Sequence, residues 1–155
     1  MIKLDEIDRR ILQLLQRNNQ LSNLELAEEV RISPSTCLKR VRRLREELII
    51  ADVALLDPAL VDRKFFVLIE IVLERQNEQL QRAFEKQMER TDEVMQCYMV
   101  SGQADFIIVV QVADMDAYHR FVRRTLTSDP NVRNFRSFFA MNRSKFRTEI
   151  SLEET

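Results

Sequence analysis

From Phe65 to Met141 the hydrophobic pattern switches repeatedly between the period of a strand and that of a helix, and few folds can accept the order. Phe65 to Leu73 (FFVLIEIVL) is dense in β-branched and aromatic residues and reads as a strand. Asn77 to Thr91 places Leu80, Ala83, Phe84 and Met88 on one side of a helix. Glu93 to Val100 and Asp105 to Val112 read as two strands joined by the turn Ser101-Gly102-Gln103-Ala104. Asp114 or Asp116 can cap a helix carrying Tyr118, Phe121, Val122 and Leu126, and Asp129-Pro130-Asn131 stops it. Val132 to Met141 is a further strand, and Phe146 to Leu152 alternates strictly between apolar or Thr positions and polar ones, again strand-like.

The order β-α-β-β-α-β predicts a ferredoxin-like antiparallel sheet with two helices on one face, within an α+β chain. Phe65–Leu73 and Phe106–Val112 are apolar on both faces, yet two helices cover only one. The other face should meet a partner, and a second copy stacked sheet face to sheet face is expected.

The chain before Phe65 has a different character. Leu4, Ile7, Ile11, Leu14 and Leu15 fall at helical spacing, with Asp5 as cap and Asp8 three residues on. Ser22 caps a second helix with Leu24, Leu26, Ala27 and Val30 as its apolar positions. After a short turn at Arg31-Ile32, Ser33 caps a third helix and Pro34 occupies its first position, where a missing N–H costs nothing. Three helices with a short turn before the last make a helix-turn-helix (winged-helix-like) unit, in which 22–30 braces and 34–48 reads. Ile49 to Pro58 (IIADVALLDP) then reads as an apolar strand and turn. The predicted organisation is 1–50 for the helical unit, 51–62 for a connector strand and linker, and 63–155 for the sheet unit.

At about 100° per residue, Leu38, Val41, Leu44 and Leu48 gather on one side of the third helix with Cys37 beside them. Ser35, Thr36, Lys39, Arg40 and Arg43 gather opposite, and Arg42 lies on the flank. Between Arg31 and Arg45 there are six basic residues and no acidic one. Short polar groups at the helix start, followed by a basic ridge, suit a helix in a DNA major groove. A merely solvated charged face is the plainer alternative. Net charge is only −1 over 155 residues, so any contact with nucleic acid must come from a local patch such as this one. Arg45 lies near the apolar side and is expected to pack or to pair with an acid.

Other classes are disfavoured. No run approaches the ~18 apolar residues of a membrane span, and the N-terminus MIKLDEIDRR is too charged for a signal peptide, so a cytoplasmic protein without membrane contact is expected. Cys37 and Cys97 are the only cysteines, far apart and without CxxC or paired-His context, which argues against a disulfide scaffold or a metal site. No nucleophile–base arrangement and no Gly-rich phosphate loop occurs, so neither an enzyme nor a cofactor is expected. His119 reads as a surface residue. Gly102 is the sole glycine, which marks its turn as a place where the backbone needs one.

LDEIDRRIL at the start, SPSTCLKRVRRL in the third helix, ALLDP in the connector and CYMVSGQADF in the second half resemble, in order and spacing, the Lrp/AsnC (feast/famine) family of transcription regulators. The resemblance implies an N-terminal DNA-binding domain and a C-terminal ligand-sensing domain. It also implies homodimers that associate further, often into octamers, and amino acids bound near interfaces between dimers. Carried onto this chain, the double-stranded-DNA-binding positions are Ser33, Pro34, Ser35, Thr36, Lys39, Arg40, Arg42 and Arg43. The run Val100-Ser101-Gly102-Gln103-Ala104-Asp105 matches the turn beside the effector pocket. Tyr98, Val100, Phe138 and Ala140 could receive an aliphatic side chain, although ordinary sheet packing explains each equally well. The chain departs from the family at Arg31, Leu48 and Ala51-Asp52, where glycines are common.

The leading function is therefore a sequence-specific regulator that responds to an amino acid, with a pocket composition favouring leucine or methionine. A nucleoid-type architectural protein with little effector response is the alternative. An RNA-binding module would need an aromatic, basic sheet surface, which FIIVVQV lacks. An amino-acid-binding regulatory subunit of an enzyme would leave the basic helix unexplained.

Overall fold

The computed structural model describes residues 2–58, 60, 61 and 65–152. The chain divides into two compact units: residues up to Leu55 together with those from Lys145, and Leu56–Ser144. Each has its own core.

The first unit contains α1 (Glu6–Arg17), α2 (Asn23–Glu29) and α3 (Pro34–Glu47). Each begins as its sequence dictates. The Asp5 carboxylate accepts from the Asp8 N–H at 2.8 Å and the Asp8 carboxylate accepts from the Asp5 N–H at 3.3 Å, which makes a reciprocal capping box. Ser22 and Glu25 form a second one. Ser33 caps α3 through the Thr36 N–H, with Pro34 in the first turn. Ile11, Leu26, Ala27, Cys37 and Leu44 are almost wholly withdrawn from solvent and form the centre of this core.

Three apolar positions differ from the expectation, Leu24 of α2 among them at 57% exposed. Leu38 is 50% exposed and Leu48 40% exposed. The buried stripe of α3 runs through Cys37, Val41 and Leu44, and Leu38 stands about 100° around from Cys37.

The turn between α2 and α3 closes α2 by a Schellman motif. The Arg31 N–H donates to the Glu28 carbonyl at 3.2 Å and the Ile32 N–H donates to the Ala27 carbonyl at 3.0 Å. Ile32 packs on the core. Arg31 itself has φ +57°, the left-handed region, at a cost of about 1 kcal/mol relative to glycine.

The connector does not form the predicted strand. Residues 49–57 carry no sheet pairing, and Ile50, Val53, Leu55 and Leu56 are exposed. A strand needs a neighbour to satisfy its backbone, and none lies beside this segment among the described residues. The predicted boundary at 62/63 falls outside the described residues.

The second unit is a four-stranded antiparallel sheet of β1 (Phe65–Leu73), β2 (Val94–Met99), β3 (Phe106–Val112) and β4 (Val132–Phe139), in the order β2-β3-β1-β4. This is the ferredoxin-like arrangement. Helices α4 (Glu78–Glu89) and α5 (Met115–Phe121) pack on one face. Asn77 caps α4, and Asp114, not Asp116, caps α5. Alternation assigns the faces: Val67, Ile69, Ile71 and Leu73 of β1 and Phe106, Ile108, Val110 and Val112 of β3 are buried under the helices. The Phe84 and Phe106 rings lie 4.8 Å apart there. Tyr118 packs its ring 4.9 Å from that of Phe139 and donates its hydroxyl to Ser137 Oγ at 2.6 Å.

After Phe121 the helix widens into π turns over Val122–Thr127. Gln87 of α4 donates to the Thr125 carbonyl there at 3.2 Å.

The C-terminal segment is not a strand either. From Lys145 it belongs to the helical unit: the Ile150 N–H donates to Gln16 Oε1 at 2.7 Å, Gln16 Nε2 donates to the Ile150 carbonyl at 3.1 Å, and Leu152 packs on the helical core. A side-chain amide thus satisfies one residue's backbone on both sides, which requires no sheet.

Candidate functional site

The hydroxyls of Ser33, Ser35 and Thr36 form one cluster at the start of α3. Ser33 Oγ lies 2.8 Å from Thr36 Oγ1 and 3.2 Å from Ser35 Oγ. Asn23, in the first turn of α2, donates to the Pro34 carbonyl at 2.8 Å and so ties the bracing helix to the start of α3. Ser33, Pro34, Ser35, Thr36, Lys39 and Arg42 are all exposed. Lys39 and Arg42 make no ion pair with any described residue, which leaves their charges open to a partner.

Arg40 and Arg43 are placed otherwise. Arg40 Nη1 donates to Asp5 Oδ2 at 2.6 Å and to Asp8 Oδ1 at 2.7 Å, and Arg43 Nη2 donates to Asp8 Oδ2 at 2.5 Å. The Asp8 side chain is only 2% exposed, against 53% for Asp5. The carboxylates that cap α1 thus also hold two arginines of α3. A hydrogen bond from the Asp8 backbone, and then the Arg40 guanidinium, hold the Asp5 carboxyl below the usual aspartate range; the same pairing raises Arg40.

Sequence reasoning placed Arg40 and Arg43 beside Lys39 on the outward ridge and did not connect them with Asp8. The available signal was an acid on the apolar stripe of α1: Leu4, Asp8, Ile11, Leu12 and Leu15 share one side. Arg45 pairs as expected, donating to the Asp52 carboxylate and, at 2.9 Å, to Asn19 Oδ1.

In the sheet unit, Gly102 has φ +145°, a conformation that side chains rarely adopt. Ser101, Gly102 and Gln103 are exposed at the β2–β3 turn. Asp105 closes it: its carbonyl accepts from the Val100 N–H at 2.9 Å, and its Oδ2 accepts from the Leu73 N–H at 2.7 Å. One oxygen of the Asp105 carboxylate is therefore already in use by the backbone.

Tyr98 and Val100 to Asp105 lie together at this end of the sheet. Phe138 and Ala140 do not join them. Phe138 pairs with Leu68 on the far edge strand, three strands from β2, or roughly 14 Å away at ~4.8 Å per strand. The Ala140 N–H donates to the Phe66 carbonyl, at the opposite end of β1 from Leu73. Within one chain, the nine sequence-predicted effector residues make no single site.

A concavity of about 590 Å³ opens elsewhere, at the other end of β2, lined by Arg90, Thr91, Asp92, Glu93, Met95, Gln111 and Arg124. Its charges are partly paired, with Arg124 Nη2 donating to both Glu93 carboxylate oxygens at 2.8 Å.

Comparison with known proteins decides what these two units are. Residues 4–45 match the AsnC-type helix-turn-helix domain, and residues 66–150 match the Lrp/AsnC ligand binding domain. The chain belongs to the Lrp/AsnC family. It is 39% identical to an uncharacterized HTH-type transcriptional regulator of Haemophilus influenzae over 98% of this chain and 91% of that one. It is 38% identical to the leucine-responsive regulatory protein of Escherichia coli over 92% of this chain and 87% of that one. Its fold superposes on a Neisseria meningitidis transcriptional regulator solved as its L-Met complex, with a TM-score of 0.90, 32% identity and 97% of each chain covered. As a member of this family the chain is a transcription regulator with a DNA-binding and a ligand-binding domain. Its relatives are regulators, not enzymes. No helix among the described residues is long and apolar enough to cross a membrane.

Proposed function

We propose that this regulator binds duplex DNA sequence-specifically through the exposed crest of α3, and that an aliphatic amino acid, leucine or methionine, changes its assembly or its affinity for DNA. The observation that carries the DNA half is the separation of roles on α3. Ser33, Pro34, Ser35, Thr36, Lys39 and Arg42 face solvent, while Arg40 and Arg43 are held by Asp5 and Asp8. The crest then supplies base and phosphate contacts, and the two held arginines set the pose of α3 against α1.

Two features support the effector half. One is the exposed turn around Gly102, and the other is the neisserial relative's complex with L-Met. Because Phe138 and Ala140 lie far from that turn within one chain, we assign the effector contacts to Tyr98 and Val100–Asp105, completed by a second copy.

The second copy has a surface to use. Val109, Leu68 and Phe138 stand abreast on the sheet face opposite the helices, and Leu68 and Phe138 are 38% and 45% exposed. A homodimer stacked on this face would cover them and present two α3 helices to two half-sites. Further association, up to an octamer, and cytoplasmic action on the genome complete the reading. The effector acts by linkage, binding one assembly better than another and so shifting DNA occupancy.

The deciding experiment compares a labelled duplex from upstream of the protein's own gene with a scrambled duplex, across salt, with and without amino acids. Selective binding that weakens steeply with salt and shifts with leucine or methionine is expected. Broad, unselective footprints insensitive to amino acids would favour an architectural role, and calorimetry showing tightest binding to a charged amino acid would overturn the choice of effector.

A further inference from the structure

Arg31 is the only non-glycine residue with positive φ among the described residues. It occupies the position after the α2 C-cap, where the Schellman motif favours glycine because a Cβ crowds the backbone. Nothing among the described residues repays that side chain. The motif's two hydrogen bonds are made by backbone groups, and its hydrophobic contact is made by Ile32. The Arg31 side chain is exposed and makes no hydrogen bond or ion pair with any described residue. A strained backbone carrying an unpartnered cation is the pattern expected of a residue kept for binding rather than for folding.

Its place in the fold says what it would bind. Arg31 lies two residues before Ser33, so their Cα atoms are within about 8 Å of each other. When the N-terminal end of a recognition helix meets base edges, the turn before it passes over the flanking sugar-phosphate backbone. With Arg40 and Arg43 engaged by Asp5 and Asp8, and Arg45 by Asp52, the cations of α3 and the turn before it that make no ion pair with any described residue are Arg31, Lys39 and Arg42. Guanidinium is suited to a phosphodiester because its paired N–H groups match two phosphate oxygens.

We propose that Arg31 is a DNA-phosphate contact that anchors the start of α3 at the rim of the major groove. This rests on the reading of α3 as the recognition helix. A phosphate contact carries no sequence information, so it should act equally on the protein's own upstream duplex and on a mixed-sequence duplex.

The test is Arg31→Gly in the full chain, with Arg31→Lys beside it. Glycine removes the charge and relieves the backbone. The variant should therefore melt at a higher temperature while binding both duplexes about tenfold more weakly at moderate salt. The slope of log affinity against log salt should shrink by about 1. Arg31→Lys keeps a cation and the backbone conformation, and should keep both the wild-type slope and the wild-type melting temperature. A purely structural role would move stability and binding together, and here they move oppositely. If wild type binds DNA and Arg31→Gly binds it equally well with the same slope, the contact does not exist. If wild type binds neither duplex even at low salt, the recognition-helix reading fails and takes the contact with it.

Discussion

Arg40, midway along α3, donates to Asp8, in the first turn of α1, at 2.7 Å across 32 residues of sequence. Arg43 shares the same carboxylate from one turn further on. Because Asp8 is buried and serves two guanidinium groups and the Asp5 N–H, it has no water to fall back on when a partner is lost. Asp8→Asn should destabilise the helical unit by about 2 kcal/mol, less than a fully buried pair because both arginines keep some exposure. Urea denaturation followed by helical circular dichroism checks it. An unchanged midpoint would mean that the two arginines contribute nothing to the pose of α3.

The acid limb of stability should come from the same corner. Asp5 is held below its ordinary value of 3.8 in the folded chain, chiefly by the Asp8 N–H and then by Arg40, and Glu25 is lowered by its bonds to Ser22. A depressed carboxyl contributes stability that is present above the unfolded value and is lost as pH falls through the folded one. The helical unit should therefore weaken progressively below about pH 4. Asp5→Asn keeps a good N-cap but removes the charge, so its denaturation midpoint should vary less steeply with pH in that range. Identical acid limbs for the two proteins would refute this.

The thiols should be inert. Burial, with Glu85 and Glu89 adding to it, pushes Cys97 up to about 11, and burial raises Cys37 as well. At pH 8 a thiol with that pKa is thiolate about a hundredfold less often than an ordinary cysteine. Alkylation of the native protein should lag that of the urea-unfolded chain by a comparable factor. Equal rates would show that the native fold does not shield either group.

A single charge on the open sheet face should separate subunits. Leu68 stands between Val109 and Phe138 and is exposed enough for Leu68→Arg to fold. Placed on a two-fold interface, the substitution sets an unpaired guanidinium from each copy against apolar surface. Light scattering should show the wild type as a dimer or larger and the variant at half the dimer mass, with helical and sheet signals unchanged. A variant that keeps the wild-type mass would place the interface elsewhere.

What could be read from the sequence was what is local. The caps Asp5, Ser22 and Ser33 were legible because a cap is a contact over three residues, and the β-α-β-β-α-β order was legible because each period belongs to its own segment. The buried side of α3 was misjudged at Leu38, because a wheel gives directions but not where the neighbouring helices stop. The connector and Phe146–Leu152 had strand-like composition without strand-like neighbours, and pairing is a property of two segments. The same holds at the site. The exposed crest was visible from residue types, whereas the grip of Asp8 on Arg40 and Arg43 spans 32 and 35 residues. Phe138 looked close to the Gly102 turn only because the sheet order β2-β3-β1-β4 cannot be measured along the chain.

The docking of Ile150 and Leu152 beside α1 makes the sheet unit, topologically, an insertion within the helical one. The polypeptide crosses between the two bodies twice, through the connector and again near Lys145. The helical core is therefore closed by the two ends of the chain, and the whole sheet unit lies within the loop that this closure makes. Peeling the last residues off Gln16 would open that loop and uncover the part of the helical core on which Leu152 packs, without altering any residue of the α3 crest.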